Sequence, residues 1–137
     1  MGKQLSIFVE NKPGKISKIT GILEKGNINL KAMSIADSGN FGIIKIITDK
    51  NEKAYKELRK NNFLVSMQKV VVVEIPDKVG SFHKIAKILE KNKINIQDSY
   101  GFIIEEGKKA CLILKVEETE KVEKILKDKG YRLIENF

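Results

Sequence analysis

Two short segments hold the side chains best suited to chemistry: Glu10-Asn11-Lys12-Pro13-Gly14-Lys15-Ile16 and Pro76-Asp77-Lys78-Val79-Gly80-Ser81-Phe82. Each joins a strand-like apolar run to a run whose apolar residues recur at helical spacing. The start of a helix leaves about four backbone N–H groups without intrahelical partners. Those donors, together with the helix dipole, favour a bound carboxylate or phosphate. Gly14 and Gly80 lack a side chain where backbone can approach such an anion. Asn11 and Asp77, at matched positions, bring an oxygen able to accept from an ammonium group. Asn29 and Asn95 add a second amide where the chain returns from helix to strand, next to Leu30 and Ile96. Donors for a carboxylate and an acceptor for an ammonium describe a pocket for a free α-amino acid. The same residues have plainer uses, Asn11 and Asp77 as helix caps and Asn29 and Asn95 as turn residues. Spacing alone leans to the plainer use.

Other chemistry finds little footing. His83 and Cys111 are the only histidine and cysteine, and a Cys-His nucleophile pair needs them adjacent in space. Cys111 falls in an apolar run expected to be a buried strand, where a free cysteine acts as a small apolar side chain. His83 falls in the first turn of an expected helix, opposite Ser17 in the repeat described below. No His, Cys or carboxylate group has metal-ligand spacing. Gly39 and Gly42 lie in an expected hairpin, not in a phosphate-binding strand-to-helix loop. Neither catalytic residues, nor a metal site, nor a cofactor is expected.

The elements that carry these segments are duplicated. Residues 9–30 return without a gap as residues 75–96, and Lys12, Gly14, Lys18, Ile19, Ile22, Leu23, Glu24, Lys25, Ile28 and Asn29 are identical in the second copy. A repeat sets the unit to be explained, and it divides the chain into modules at residues 1–68 and 69–137. The first half reads as strand 5–9, helix to Gly26-Asn27, strand 28–36, strand 41–48, helix 51–60 and strand 63–67. Ile16, Ile19, Ile22 and Leu23 are expected to face inward. The second half repeats the order: strand 69–75, helix 81–91, hairpin 94–104 and 110–116, helix 119–129 and strand 131–134, with Phe82, Ile85, Ile88 and Leu89 inward. Each half is therefore a split βαβ, ferredoxin-like βαββαβ unit, an α+β fold with both helices on one face of an antiparallel sheet. Residues 63–75 contain neither Gly nor Pro, and read either as two strands with a tight bend or as one long strand shared between modules.

Bulk composition bounds the rest. A module of about 65 residues is marginal alone, so the halves are expected to pack on each other or on another subunit. Hydrophobic content of 42% with 32% charged residues describes a globular chain, and no apolar run approaches the roughly 20 residues that span a bilayer. The opening residues Met1-Gly2-Lys3-Gln4-Leu5 carry no apolar secretory segment, and a single cysteine excludes an internal disulfide, so a cytoplasmic setting is expected. Net charge of +8 raises nucleic-acid binding. However, nearly all of it is lysine, with Arg59 and Arg132 the only arginines, and it is spread without a dense run.

The repeated segments and the sequence Gly26-Asn27-Ile28-Asn29-Leu30 resemble an ACT domain, a family of small-molecule-sensing modules in amino-acid metabolism, and the second half, Asp77 to Phe82 and on through Ile94-Asn95-Ile96, resembles another. The whole chain is similar to stand-alone tandem ACT proteins. The resemblance implies side-by-side pairing of modules into an eight-stranded sheet, with helices on one face. It also implies amino-acid binding where the first loop of one module meets the second strand of its neighbour. By position it assigns ligand contact to Asn11, Lys12, Pro13, Gly14, Lys15, Ile16, Asn29 and Leu30, and in the second copy to Asp77, Lys78, Val79, Gly80, Ser81, Phe82, Asn95 and Ile96. Where some members carry a polar residue, often histidine, this chain has Val9 and Ile75. Asp77 in place of an amide is a further departure, which implies two inequivalent sites. The expected function is regulatory amino-acid binding without catalysis, in a homodimer and with a metabolic enzyme as partner. The alternatives are a dimerisation scaffold without ligand and an RRM-like RNA-binding module. The latter needs aromatic rings on the central strands, and only Phe8 and Phe41 in the first half supply them.

Overall fold

The computed structural model describes residues 2–136. Ten elements follow in order: β1 (Gly2–Glu10), α1 (Lys15–Lys25), β2 (Leu30–Ser38), β3 (Phe41–Thr48), α2 (Asn51–Lys60), β4 (Leu64–Pro76), α3 (Ser81–Lys91), β5 (Asp98–Glu105), β6 (Lys109–Lys115) and α4 (Thr119–Asp128). The chain divides into two units, residues 3–68 and residues 69–136 together with Gly2.

In the first unit the strand order is β2-β3-β1-β4. β1 and β2 both pair antiparallel with β3, Ile7 opposite Ile44 and Ile35 opposite Ile44 on the other side. Alternation along β1 sends Leu5, Ile7 and Val9 to one face. There they form a single buried cluster with Ile19 and Leu23 of α1, Ala54 and Leu58 of α2, and Ile44, Ile46 and Val65. Both helices therefore cover the same face of the strands. The strand expected at residues 41–48 is β3, which lies between β2 and β1.

In the second unit the order is β4-β6-β5, again antiparallel, with Val73 opposite Leu112 and Tyr100 opposite Ile113. Val71, Val73 and Ile75 join Ile85, Leu89, Val122 and Leu126 from α3 and α4 in a second cluster. β5 lies tight against β6 at Gly101, where a Cβ would collide with the Cys111 carbonyl oxygen.

Six strands form among the described residues, where the eight-stranded sheet needed eight. Two causes account for the difference. Residues 63–75, left open between two strands and one, fall from Leu64 onward in the single strand β4, whose first residues belong to one unit and the rest to the other. The expected last strand, residues 131–134, reaches only an isolated antiparallel bridge between Val73 and Leu133. It makes two hydrogen bonds to β4, Glu74 N–H to Arg132 O at 2.9 Å and Ile134 N–H to Val72 O at 2.8 Å. A ladder that short does not propagate as a strand.

Two of the residues expected to face inward do not. Ile16 and Phe82, at the same repeat position, remain 39% and 43% exposed. Each sits in the first helical turn, ahead of the point where its helix meets the strands.

Candidate functional site

The strand-to-helix loops are shaped by glycine. Gly14 adopts φ 91°, ψ −13° and Gly80 φ 87°, ψ −5°, both left-handed, immediately before the first residues of α1 and α3. A Cβ added at either would meet nothing within 4 Å. Glycine is thus required by backbone conformation rather than by crowding, and the space above it is open. Neither helix has a side-chain cap or an acidic residue in its first turn. α2 and α4 differ, placing Glu52 and Glu120 there. The positive ends of α1 and α3 are consequently left without a negative side chain. Lys12, Pro13, Lys78 and Val79 are exposed around them, with Lys15 and Ser81 half-buried.

Asn11 and Asp77 do not cap these helices. Each instead latches its loop to the neighbouring hairpin. Asn11 receives the chain through its own N–H to Asn40 O at 2.9 Å. Its Nδ2 then donates to Asp37 Oδ1 at 2.8 Å and to Gly39 O at 3.1 Å. In the second unit Asp77 N–H donates to Lys108 O at 3.1 Å, and Asp77 Oδ2 accepts from Gly107 N–H at 2.7 Å. The exchange of amide for carboxylate follows from the partner. A hairpin presenting a carboxylate needs a donor opposite, and one presenting an N–H needs an acceptor. Each latch therefore contains one carboxylate, on the hairpin in the first copy and on the loop in the second. Among the described residues, Asp37 Oδ2 and Asp77 Oδ1 accept no hydrogen bond. The sequence reading missed Asp37 and Gly107; only alignment of the two hairpin registers would have raised them.

Asn29 and Asn95 lie elsewhere in their own units. α1 and α3 each run 11 residues, which at 1.5 Å per residue puts about 16 Å between the glycine end and the asparagine end. Both helices end on a left-handed residue, Asn27 or Lys93, and on the bond from Ile28 N–H to Leu23 O or from Ile94 N–H to Leu89 O, both 2.9 Å. Asn29 is held by its backbone, its N–H donating to Asp49 Oδ1 at 2.9 Å. Asn29 and Leu30 border a cleft of about 430 Å³ with Thr20, Glu24, Asp49 and Lys50. Within one unit Asn11, Gly14 and Ile16 lie at the amino end of α1 and Asn29 and Leu30 beyond its carboxyl end, so the helix holds the two groups apart.

Cys111 is buried in β6, and burial, with Glu74 adding to it, pushes its thiol up to about 12. His83 is exposed in the first turn of α3. Among the described residues no group of three or more His, Cys, Asp or Glu is placed to hold a metal ion, and no helix is long and apolar enough to cross a membrane. Phe8 and Phe41 stack on one another, ring centroids 5.1 Å apart and 21° from parallel, so each covers one face of the other.

Comparison with known proteins extends these observations. A family model described as an ACT domain pair matches residues 1–136. The crystal structure of protein BT0572 from Bacteroides thetaiotaomicron is 35% identical, with a TM-score of 0.90 over 97% of this chain and 91% of that one. The regulatory subunit of aspartate kinase from Thermus thermophilus, in its ligand-free form, shares the fold at 12% identity, with a TM-score of 0.66 over 92% and 91% of the two chains. Aspartate kinase from Clostridium acetobutylicum does so at 20% identity and a TM-score of 0.54, covering 92% of this chain and 32% of the enzyme. No curated protein sequence matches the chain.

Proposed function

The chain belongs to the ACT domain pair family, and from that premise we propose that it is a non-catalytic regulatory protein that binds a free amino acid at its two strand-to-helix loops. The observation that carries this reading is the repeated pairing of an acid-free helix start with a carboxylate latch. The ligand carboxylate takes the free N–H groups at the start of α1 or α3. Its ammonium group takes the unused oxygen of Asp37 in the first copy, or of Asp77 in the second. Ile16 and Phe82 offer apolar surface beside that position. Lys12, Pro13, Lys15, Lys78, Val79 and Ser81 line the approach.

Asn29, Leu30, Asn95 and Ile96 enter this proposal only from a neighbouring module, because α1 and α3 hold them away from their own loops. A homodimer supplies such neighbours and extends the sheet beyond one chain. Similarity to the fold of an aspartate kinase regulatory subunit supports a metabolic enzyme as the regulated partner. The lone, buried Cys111 suits a reducing cytoplasm.

A thermal-shift series with the twenty amino acids tests the proposal. A ligand at 100 times its dissociation constant stabilises by about 2.7 kcal/mol, and calorimetry then gives stoichiometry. If no amino acid moves the transition, the sensor reading falls. One observation favours a scaffold instead: the outermost strands β2 and β5 expose Met33, Ile35, Ile103 and Ile104. Dimerisation unaffected by every amino acid, measured by sedimentation, would select it.

A further inference from the structure

A second cleft, of about 290 Å³, lies wholly within the carboxy-terminal unit, beside the Asp77 latch, with Pro76 and Lys108 in its lining. Glu74 on β4, Lys108 and Lys109 at the β5–β6 hairpin, and Lys129, Tyr131 and Arg132 after α4 line it. Four cations thus surround one carboxylate. Glu74 is drawn to Arg132 at 4.0 Å, and Lys108 pairs with Glu105 at 3.1 Å. The ammonium groups of Lys109 and Lys129 have no hydrogen-bond or ion-pair partner among the described residues. By contrast, the cleft beside Asn29 sets Lys50 against Glu24 and Asp49.

A lysine-rich chain scatters charge everywhere, but the duplication provides an internal control. Strand register equates Glu74 with Phe8 and Lys109 with Phe41, since Phe8 faces Ile43 as Glu74 faces Cys111, and Glu10 faces Phe41 as Pro76 faces Lys109. Equal lengths of α2 and α4 equate Lys129 with Asn61 and Arg132 with Leu64. The matched lining positions in the first unit therefore carry an aromatic pair and no cation; Lys18, from α1, lies over the ring of Phe63, the counterpart of Tyr131, 5.6 Å from its centroid. Attraction to the carboxyl end of α4 explains Lys129 by itself, but not Lys109, which comes from a different element. The last carbonyls of α4 do not repel an anion freely, because those of Ile125, Leu126 and Lys127 already accept from Lys129, Tyr131 and Gly130 N–H groups.

The geometry points to a binding site for a small, multiply charged, phosphate-bearing ligand in this cleft. Its volume sits at the lower end of the range for small-molecule sites, about 300–1,000 Å³. Lysine ammonium groups act as point charges for phosphate. Tyr131, partly buried against the hydrophobic cluster of its unit, is the one aromatic side chain in the lining, whereas a single-strand groove stacks successive bases on several rings.

Calorimetry on the whole chain with inorganic pyrophosphate, at ionic strength held constant with sodium chloride, is the test. Saturable binding at one site per chain is expected. Lys109→Ala with Lys129→Ala should weaken it by about tenfold or more. Lys56→Ala with Lys60→Ala, which removes the same charge from α2 but no residue that lines the cleft, should leave it within about twofold. Absence of saturable binding overturns the proposal. So does equal weakening by the two pairs, and so does a single-stranded oligonucleotide that binds tightly and loses affinity equally in both, since those results mark a diffuse cationic surface.

Discussion

The Asn11 amide donates to the Asp37 carboxylate at 2.8 Å, and its repeat counterpart Asp77 reverses the polarity by accepting from Gly107 N–H at 2.7 Å. The two copies preserve one geometric function, a loop tied to a hairpin, with the charge moved across the tie. Asn11→Asp should therefore set two carboxylates face to face and destabilise the first unit by about 1 kcal/mol, more at low salt. Adding Asp37→Asn should restore most of the loss. Asp77→Asn keeps an acceptor for Gly107 and should cost less than Asn11→Asp. Urea denaturation of these three variants and of Asp37→Asn alone decides this; additive losses in the Asn11→Asp, Asp37→Asn pair would refute the latch.

Left-handed backbone at two helix starts makes a second prediction. Gly14→Ala and Gly80→Ala should each destabilise by about 1 kcal/mol through backbone strain alone, since neither Cβ meets a neighbour. Gly101→Ala should cost more, because its methyl group meets the Cys111 carbonyl of the paired strand. Melting temperatures that rank Gly101→Ala no worse than the other two would contradict the close approach of β5 to β6.

Alkaline pH should weaken the fold through Cys111. Burial raises its thiol from the ordinary value near 9 to about 12 in the folded protein, so the unfolded chain gives up this proton first. The associated stability is complete below pH 9 and is lost progressively as pH climbs toward 12. Tyr100 is raised in the same direction, chiefly by burial, and adds to the loss. Cys111→Ala should flatten the fall in urea midpoint between pH 8.5 and 10.5, an interval chosen to straddle the free thiol's range. Native Cys111 should also resist alkylation until denaturant is added; rapid labelling in buffer would show that the strand is open.

Inward and outward apolar residues of the same helices should separate cleanly. Leu58 and Leu126 occupy matched positions in α2 and α4 and are fully buried, so Leu58→Ala or Leu126→Ala should cost about 2–5 kcal/mol. Ile16→Ala and Phe82→Ala should cost under about 1 kcal/mol and should instead reduce any amino-acid-induced thermal shift. A large stability loss from Ile16→Ala or Phe82→Ala would mean that these side chains serve the core, not the loop.

Much of this protein was legible in one dimension because its signals are local. Apolar spacing placed Asn51–Lys60, Ser81–Lys91 and Phe41–Thr48 at their observed bounds, and the repeat identified the paired loops and the glycines whose positive φ begins each helix. What lay beyond reach depended on contacts between residues far apart along the chain. Asn11 read as a cap because a cap is a contact a few residues long; its real partner, Asp37, arrives only when β1 and β2 both register on β3. Asn29 read as a companion of Asn11 because the repeat carries both positions, whereas a rigid helix holds the two ends of α1 about 16 Å apart. The shared strand β4, the stunted last strand and the cationic cleft around Lys109 and Lys129 likewise come from strand registry and element packing. Local preference names the pieces, and only long-range pairing decides which of them touch.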